Sequence, residues 1–159
     1  VTTDELTLRR ATLADLDAIV SLTHAAYSVY IARLGREPQP MTTDYAEYID
    51  KHLIWLLERQ QEVVGVLAAQ HEPDALLIYS VAVHPNHQKR GLGRRLLAWA
   101  EHEARQAGYR HIRLYTNALM EKNIALYTRL GYHETQREPY EGGAIVHMAK
   151  ELAAGDAPD

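Results

Sequence analysis

The 159-residue chain contains no cysteine. That excludes a disulfide, a thiolate zinc site and a cysteine nucleophile, and it suits a reducing, cytoplasmic setting. Phenylalanine is absent as well, so ten tyrosines supply most of the aromatic surface. Aromatic rings with a polar handle serve wet clefts as readily as cores. No apolar run reaches the roughly 18 residues of a membrane span, and no signal peptide stands at the start, so no membrane partner is expected. The chain opens on Val1 rather than methionine, which fits a native start lying upstream. A positive charge surplus is also missing: the formal net charge of -4 argues against a nucleic-acid partner. His84 and His87 stand three apart in a turn with no acidic third ligand nearby, so no metal site is expected. There is no internal repeat and no composition break. The expectation is one domain over 1–152, large enough to bury roughly 70% of its unfolded surface. Residues 153–159 form a small, acidic tail expected to be disordered.

What is present reads as alternating strands and helices. Leu6 to Arg10 alternates as a strand. Thr12 is placed to cap a helix from Leu13 to about Ala26, with Asp15 and Asp17 in its first turn. Two prolines, a glycine and clustered arginines make Arg33 to Met41 a loop, long enough to line a site. Thr43 is placed to cap a second helix through about Lys51. Leu53–Glu58, Glu62–Gln70 and Ala75–Val83 read as an antiparallel meander, the last strand apolar on both faces. A strongly amphipathic helix, Arg94 to Ala107, turns Leu92, Leu96, Leu97, Ala100 and Ala104 inward and stops at Gly108. A strand over His111–Thr116 follows. Asn117 is then placed to cap a helix from about Leu119 to Leu130, which ends at Gly131. Tyr132–Arg137 and Ala144–Lys150 close the chain as a hairpin across Glu141-Gly142-Gly143. The expected fold class is α/β, with an α+β mixed sheet in the order β-α-α-β-β-β-α-β-α-β-β.

The chemistry centres on the junction Val81-Ala82-Val83-His84-Pro85-Asn86-His87-Gln88-Lys89-Arg90-Gly91-Leu92-Gly93. An apolar strand enters it and a helix leaves it. The first amides of a helix have no partner within the helix, and the helix dipole adds positive potential there. Gly91 and Gly93 carry no Cβ, so a phosphate can come close to the backbone. Lys89, Arg90, Arg94 and Arg95 surround the spot. A P-loop would need Gly-Lys-Ser/Thr, and Arg94-Arg95 follow Gly93 instead. A dinucleotide fingerprint would need a third glycine where Leu96 stands. What remains is Gln88-x-x-Gly91-x-Gly93.

With Val81 to Pro85 upstream, that pattern resembles the acyl-CoA loop of the GCN5-related N-acetyltransferase (GNAT) superfamily. The element order is similar over nearly the whole chain. The resemblance implies acetyl-CoA as cofactor, with Val81, Ala82, Val83, Gln88, Lys89, Arg90, Gly91, Leu92, Gly93, Arg94, Thr116, Asn123 and Tyr127 as its binding residues. A second block, Asn123-Ile124-Ala125-Leu126-Tyr127-Thr128-Arg129-Leu130-Gly131-Tyr132, looks like the GNAT Asn-x-x-Ala-x-x-x-Tyr element, except that here the alanine stands two residues after the asparagine and the tyrosine four. Asn123 and Tyr127 are four apart and share a helix face. The resemblance gives Asn123 to the pantetheine or phosphate arm of CoA. It makes Tyr127 the general acid.

The implied reaction is direct acetyl transfer to a primary amine of a small molecule or a peptide or protein. Tyr27, Tyr30, Tyr79 and Tyr140 are the expected acceptor contacts, on fold analogy. Two other readings stay open: a non-catalytic acyl-CoA-binding regulatory module, and a transferase using another acyl-CoA. Some relatives place a glutamate or histidine base where Leu77 and Tyr79 stand here. Leu77 cannot be a base, Tyr79 is a poor one, and Glu72 is a weak candidate, so the base is left unassigned. A homodimer is expected by the same resemblance.

Overall fold

The computed structural model describes residues 6–51 and 53–153. Of the expected disordered tail, residues 154–159 lie outside the described residues. Seven strands form one mixed sheet in the order β1-β2-β3-β4-β5-β7-β6. The strands are β1 (Leu6–Arg10), β2 (Ile54–Arg59), β3 (Glu62–His71), β4 (Leu76–Val83), β5 (His111–Asn117), β6 (His133–Tyr140) and β7 (Gly143–Glu151). The helices are α1 (Leu16–Tyr27), α2 (Ile31–Leu34), α3 (Tyr45–Asp50), α4 (Leu92–Gln106) and α5 (Glu121–Arg129). The chain divides into two compact units, Val1–Ala69 with Ser80–Ala100, and Gln70–Tyr79 with Glu101–Asp159.

In the first unit β1 pairs antiparallel with β2, and β2 with β3. Gln60 and Gln61 both take positive φ, 52° and 65°, and form the two-residue turn between β2 and β3. Ile54, Leu56 and Leu57 of β2 and Val64, Val66 and Leu67 of β3 are fully buried, as are Ile19 of α1 and Leu96 and Leu97 of α4. Gly65 is the small residue that lets α4 settle: a Cβ there would stand 3.0 Å from Leu96 Cδ1 and 3.3 Å from Leu57 Cβ.

Several expected boundaries move in this unit. Leu13–Asp15 is a 3₁₀ turn, and the α-helix proper starts at Leu16. The Asp15 carboxylate accepts the Thr12 backbone N–H at 2.8 Å, which fixes that entry. The segment expected as a loop, Arg33 to Met41, takes in the last two residues of α2 and a 3₁₀ turn, Gln39–Met41, and is irregular over 35–38 between them. Ile31 and Leu34 stand three apart on α2, Gly35 stops it at φ 75°, and Met41 is buried. Thr43 does not cap α3. Asp44 does, accepting the Ala46 N–H at 3.1 Å, while the Thr43 hydroxyl donates to Gln39 O. A carboxylate one residue closer to the first free amides wins that role.

In the second unit β4 runs parallel to β5, with Leu76, Leu77 and Ile78 opposite Ile112, Arg113 and Leu114. β5 and β6 both pair antiparallel with β7. Ile112, Leu114 and Thr116 of β5 and Val146 and Met148 of β7 are buried, and the residues between them face the other side. β6 is an exposed edge strand carrying Pro139 and alternating charge, which discourages further strand pairing. Two helix ends share one device. Tyr109 N–H bonds Ala104 O behind Gly108 (φ 86°), and Tyr132 N–H bonds Tyr127 O behind Gly131 (φ 100°). α5 starts at Glu121 rather than Leu119, with Met120 at its cap position. Asn117 Oδ1 spends itself on the Leu119 N–H, making a turn before the helix instead of a cap on it. The terminal hairpin is longer than expected. Its turn is Glu141-Gly142, both at positive φ, so Tyr140 is the last residue of β6, opposite Gly143.

Candidate functional site

The strand end and glycine turn lie in the first unit. Ala82 is buried, while Val81 and Val83 are half-buried on the alternate face. Three hydrogen bonds fix how β4 ends. The Tyr27 hydroxyl donates to Val81 O at 3.2 Å, His84 N–H bonds Val64 O at 2.9 Å, and Gln88 Nε2 donates to Val83 O at 3.1 Å. Gln88 therefore holds the turn against the end of its own strand; its side-chain amide is a brace. Lys89 and Gly91 both take positive φ, 65° and 78°, which bends the chain into the helix. Arg95 N–H bonds Gly91 O, so α4 opens on Leu92, whose side chain is buried. Lys89, Arg90, Arg94 and Arg95 are exposed around this opening.

The two glycines are glycine for different reasons. Gly91 needs its left-handed backbone. Gly93 sits in the first turn of α4 without a positive φ, and a Cβ there would meet no atom within 4 Å. Neither packing nor backbone conformation asks for glycine at 93, where it costs about 1 kcal/mol of helix propensity relative to alanine. The open space above it is a cradle that a side chain would fill and an anion would fit. Free first-turn amides, helix dipole and four cationic side chains favour an anion of more than one charge.

The second unit carries the other expected residues. Thr116 Oγ1 and Asn123 Nδ2 both reach the sulfur of Met120, at 3.3 and 3.7 Å. Thr116 is buried and Asn123 half-buried. A thioether is a weak acceptor, so both groups keep capacity for a better partner. Tyr127, half-buried, lies one turn after Asn123 and meets the Tyr132 ring edge-on at 6.0 Å. Burial drives the Tyr132 hydroxyl above its ordinary value, so it stays protonated.

The expected acceptor tyrosines fall into two groups. Tyr27 and Tyr30 are in the first unit, their rings 6.4 Å apart, and the Tyr27 hydroxyl is engaged with Val81 O and Ser80 Oγ. Tyr79 and Tyr140 are half-buried in the second unit. Tyr79 meets Tyr115 edge-on at 6.5 Å, and Tyr115 lies 5.7 Å from His147. Burial raises the Tyr115 hydroxyl, with Tyr79 and Tyr140 adding to the effect. His147 Nε2 is 2.6 Å from Glu138 Oε1. Sequence reading missed Tyr115, Glu138 and His147, and no local motif marks them, because three separate strands bring them together. Glu72 drops out as a base. Arg113 binds it with two nitrogens, one at 2.7 Å, and that guanidinium holds the carboxyl below its usual range.

Residues 16–132 match the model of the Acetyltransferase (GNAT) family. The uncharacterised N-acetyltransferase YjgM of Escherichia coli is 29% identical over 154 residues, covering 91% of this chain and 90% of that protein. Among solved structures, the PaiA N-acetyltransferase of Thermoplasma acidophilum in complex with coenzyme A superposes with a TM-score of 0.79 at 15% identity, over 93% of this chain and 99% of that one. The yncA protein of Salmonella typhimurium, solved with its cofactor acetyl-CoA, gives 0.71 at 25% identity, over 97% and 98%.

Proposed function

The chain belongs to the acetyltransferase (GNAT) family, and on that premise we propose that it transfers the acetyl group of acetyl-CoA to a primary amine of a small molecule or a peptide. The observation that carries the reading is Gly93: a helical glycine that the protein itself does not need, at the one place where a pyrophosphate would require it. Acetyl-CoA supplies the activated acyl group. Amides from Lys89 to Arg94 hold its pyrophosphate, strengthened by the exposed cations. Leu92 contributes the buried anchor that keeps the first turn in place. The backbone N–H near Val81 polarises the thioester carbonyl, in a strand end fixed by Tyr27 and Gln88. Thr116 and Asn123 turn from Met120 towards the pantetheine arm. Tyr127 donates a proton, or a hydrogen bond, to the sulfur as the amine displaces it. Tyr27, Tyr30, Tyr79 and Tyr140 contact the acceptor.

We read the chain as one catalytic domain over 1–152, without nucleic-acid or membrane partners. No helix among the described residues is long and apolar enough to cross a membrane. The cysteine-free composition suits a cytoplasmic setting, and family habit supports a homodimer, which light scattering tests.

Titration calorimetry of CoA against Gly93→Val tests the central point. The variant is expected to fold as the parent does and to lose about tenfold or more in CoA affinity, or about 1.4 kcal/mol. Parental affinity in the folded variant would refute the cradle.

A further inference from the structure

On β7, Val146 and Met148 are buried, and His147 between them faces the opposite side of the strand. On that side the antiparallel register sets Tyr115 of β5 directly across from His147. Glu138 of β6 stands opposite the next same-face residue of β7, Ile145, and reaches back to the imidazole. The His147 backbone is held as well, its carbonyl accepting the Thr135 hydroxyl at 3.3 Å. Tyr79 of β4 completes the row against Tyr115. Glu72 lies within electrostatic reach of His147 but is committed to Arg113. Tyr140 lies within electrostatic reach of Tyr115. Among the groups named here, Glu138 is therefore the carboxylate that pairs with the imidazole.

The pair is graded in exposure. The His147 side chain is 19% exposed and that of Glu138 is 48%. The imidazole is thus sheltered among rings while its carboxylate stands at the rim. A carboxylate only accepts hydrogen bonds, so Nε2 carries a proton and Nδ1 of the neutral ring keeps its lone pair. The faces of Tyr79 and Tyr115 attract a cation such as an alkylammonium. As a stabilising contact, a rim-exposed pair of this kind contributes little.

We propose that His147, oriented by Glu138, takes the proton that the acceptor's ammonium group must lose before it can attack, directly or through one water. The inference rests on the acetyltransferase reading above and supplies the base that the motifs do not. In the step an ammonium N–H bond breaks, and its electron pair stays on nitrogen. The proton passes to Nδ1, giving an imidazolium neutralised by Glu138, and later leaves to solvent past that exposed carboxylate. Tyr79 lies two residues before Val81 on β4, and alternation along the strand puts both side chains on one face of it. The acceptor class that fits is an unhindered primary alkylamine, cationic in solution.

Two probes separate this role from a structural one. 2-Phenylethylamine is protonated in neutral solution and must be deprotonated; 2,2,2-trifluoroethylamine is already largely neutral. For His147→Gln, kcat/KM for 2-phenylethylamine should fall roughly 10²-fold, with loss of the acid limb of its pH profile. Rates with trifluoroethylamine should fall far less than those with 2-phenylethylamine, since that amine has no proton to lose before it attacks. Independently of turnover, ¹⁵N-histidine spectra of the CoA-bound parent should show the His147 signals, identified by their absence in His147→Gln, moving on addition of 2-phenylethylamine. Glu138→Gln, at an exposed position, should give an intermediate loss. Unmoved His147 signals, or an unchanged rate and profile in His147→Gln, overturn the proposal. Calorimetry on the same samples separates the two failures. CoA binding with either of those results leaves the acetyltransferase reading standing and removes His147; no CoA binding by the parent removes the reading itself.

Discussion

The turn before α4 and the half-exposed face of β5 and β7 hold polar chemistry in opposite ways. The turn uses backbone: amides at a helix start, two glycines and a glutamine brace, all within Val83 to Gly93. The face uses side chains: Tyr79, Tyr115, Glu138 and His147, one from each of four strands. A backbone site needs particular residues at close spacing and tolerates few others. A side-chain site needs only that the sheet register bring its members together. The first is therefore written in consecutive residues, and the second only in the pairing of strands.

The sharpest way to break the contrast is Tyr127→Phe. The substitution keeps the ring against Tyr132 and removes only the hydroxyl. If that hydroxyl assists departure of the thiolate, kcat falls roughly 10²-fold while acetyl-CoA affinity changes much less. Steady-state kinetics with direct binding measures both; a kcat close to the parent's would return Tyr127 to packing alone. Next in size come the glycines. Gly91→Val and Gly93→Val should each weaken CoA binding about tenfold or more. They should differ in stability. Gly91→Val forces a branched residue to φ 78°, at a cost of about 1–2 kcal/mol, whereas Gly93→Val meets open space. Equal losses of stability in urea unfolding would show that the two glycines share one reason.

That difference bears on how much of the molecule the sequence discloses. Helix and strand order, the buried face of α4 and the Gly108 and Gly131 stops follow from period and glycine placement, and the structure has them. The caps at Thr43 and Asn117 were misplaced because short polar side chains compete for the same free amides, and geometry alone picks the winner. The run 33–41 reads as a loop by composition and is one over 35–38, while the end of α2 and the 3₁₀ turn Gln39–Met41 are helical at its two ends. Gln88 reads as a ligand residue by motif; its bond to Val83 O shows a structural reason for glutamine there. His147 was invisible, since its partners lie 9 and 32 residues away and its own neighbours are ordinary strand residues.

Gly65 extends the comparison to a glycine that serves packing rather than a ligand. Gly65→Val would drive a branched side chain into Leu96 and Leu57, destabilising the fold by about 1–3 kcal/mol. CoA affinity per folded molecule should hold, because the substitution is outside the turn. A change in affinity without one in stability would mean that the position of α4, rather than the local turn, sets the anion site.

The smallest effect separates local from cross-strand contacts within a single cluster. Arg9 donates to both oxygens of Asp15, six residues on, and also to Glu58 across the β1–β2 pair. The Arg9 hydrogen bonds are the main reason that the Asp15 carboxyl is pulled down to about 2 from an ordinary 3.8. A depressed carboxyl stabilises the folded state above its unfolded value and loses that contribution as pH falls. The window therefore runs from about pH 4 down to about pH 2. Because Arg9 is 40% exposed, solvent screens the pair, and its worth near neutrality is a few tenths to about 1 kcal/mol. Asp15→Asn should lower stability by that amount near neutrality and draw level with the parent as the acid limit is approached. Glu58→Gln leaves both Arg9–Asp15 bonds and the Thr12 contact in place, so it should cost less than Asp15→Asn and leave most of the acid dependence intact. Urea unfolding across that pH range reads both variants. A larger loss for Glu58→Gln would show that the cross-strand contact, which the local sequence does not announce, carries the cluster.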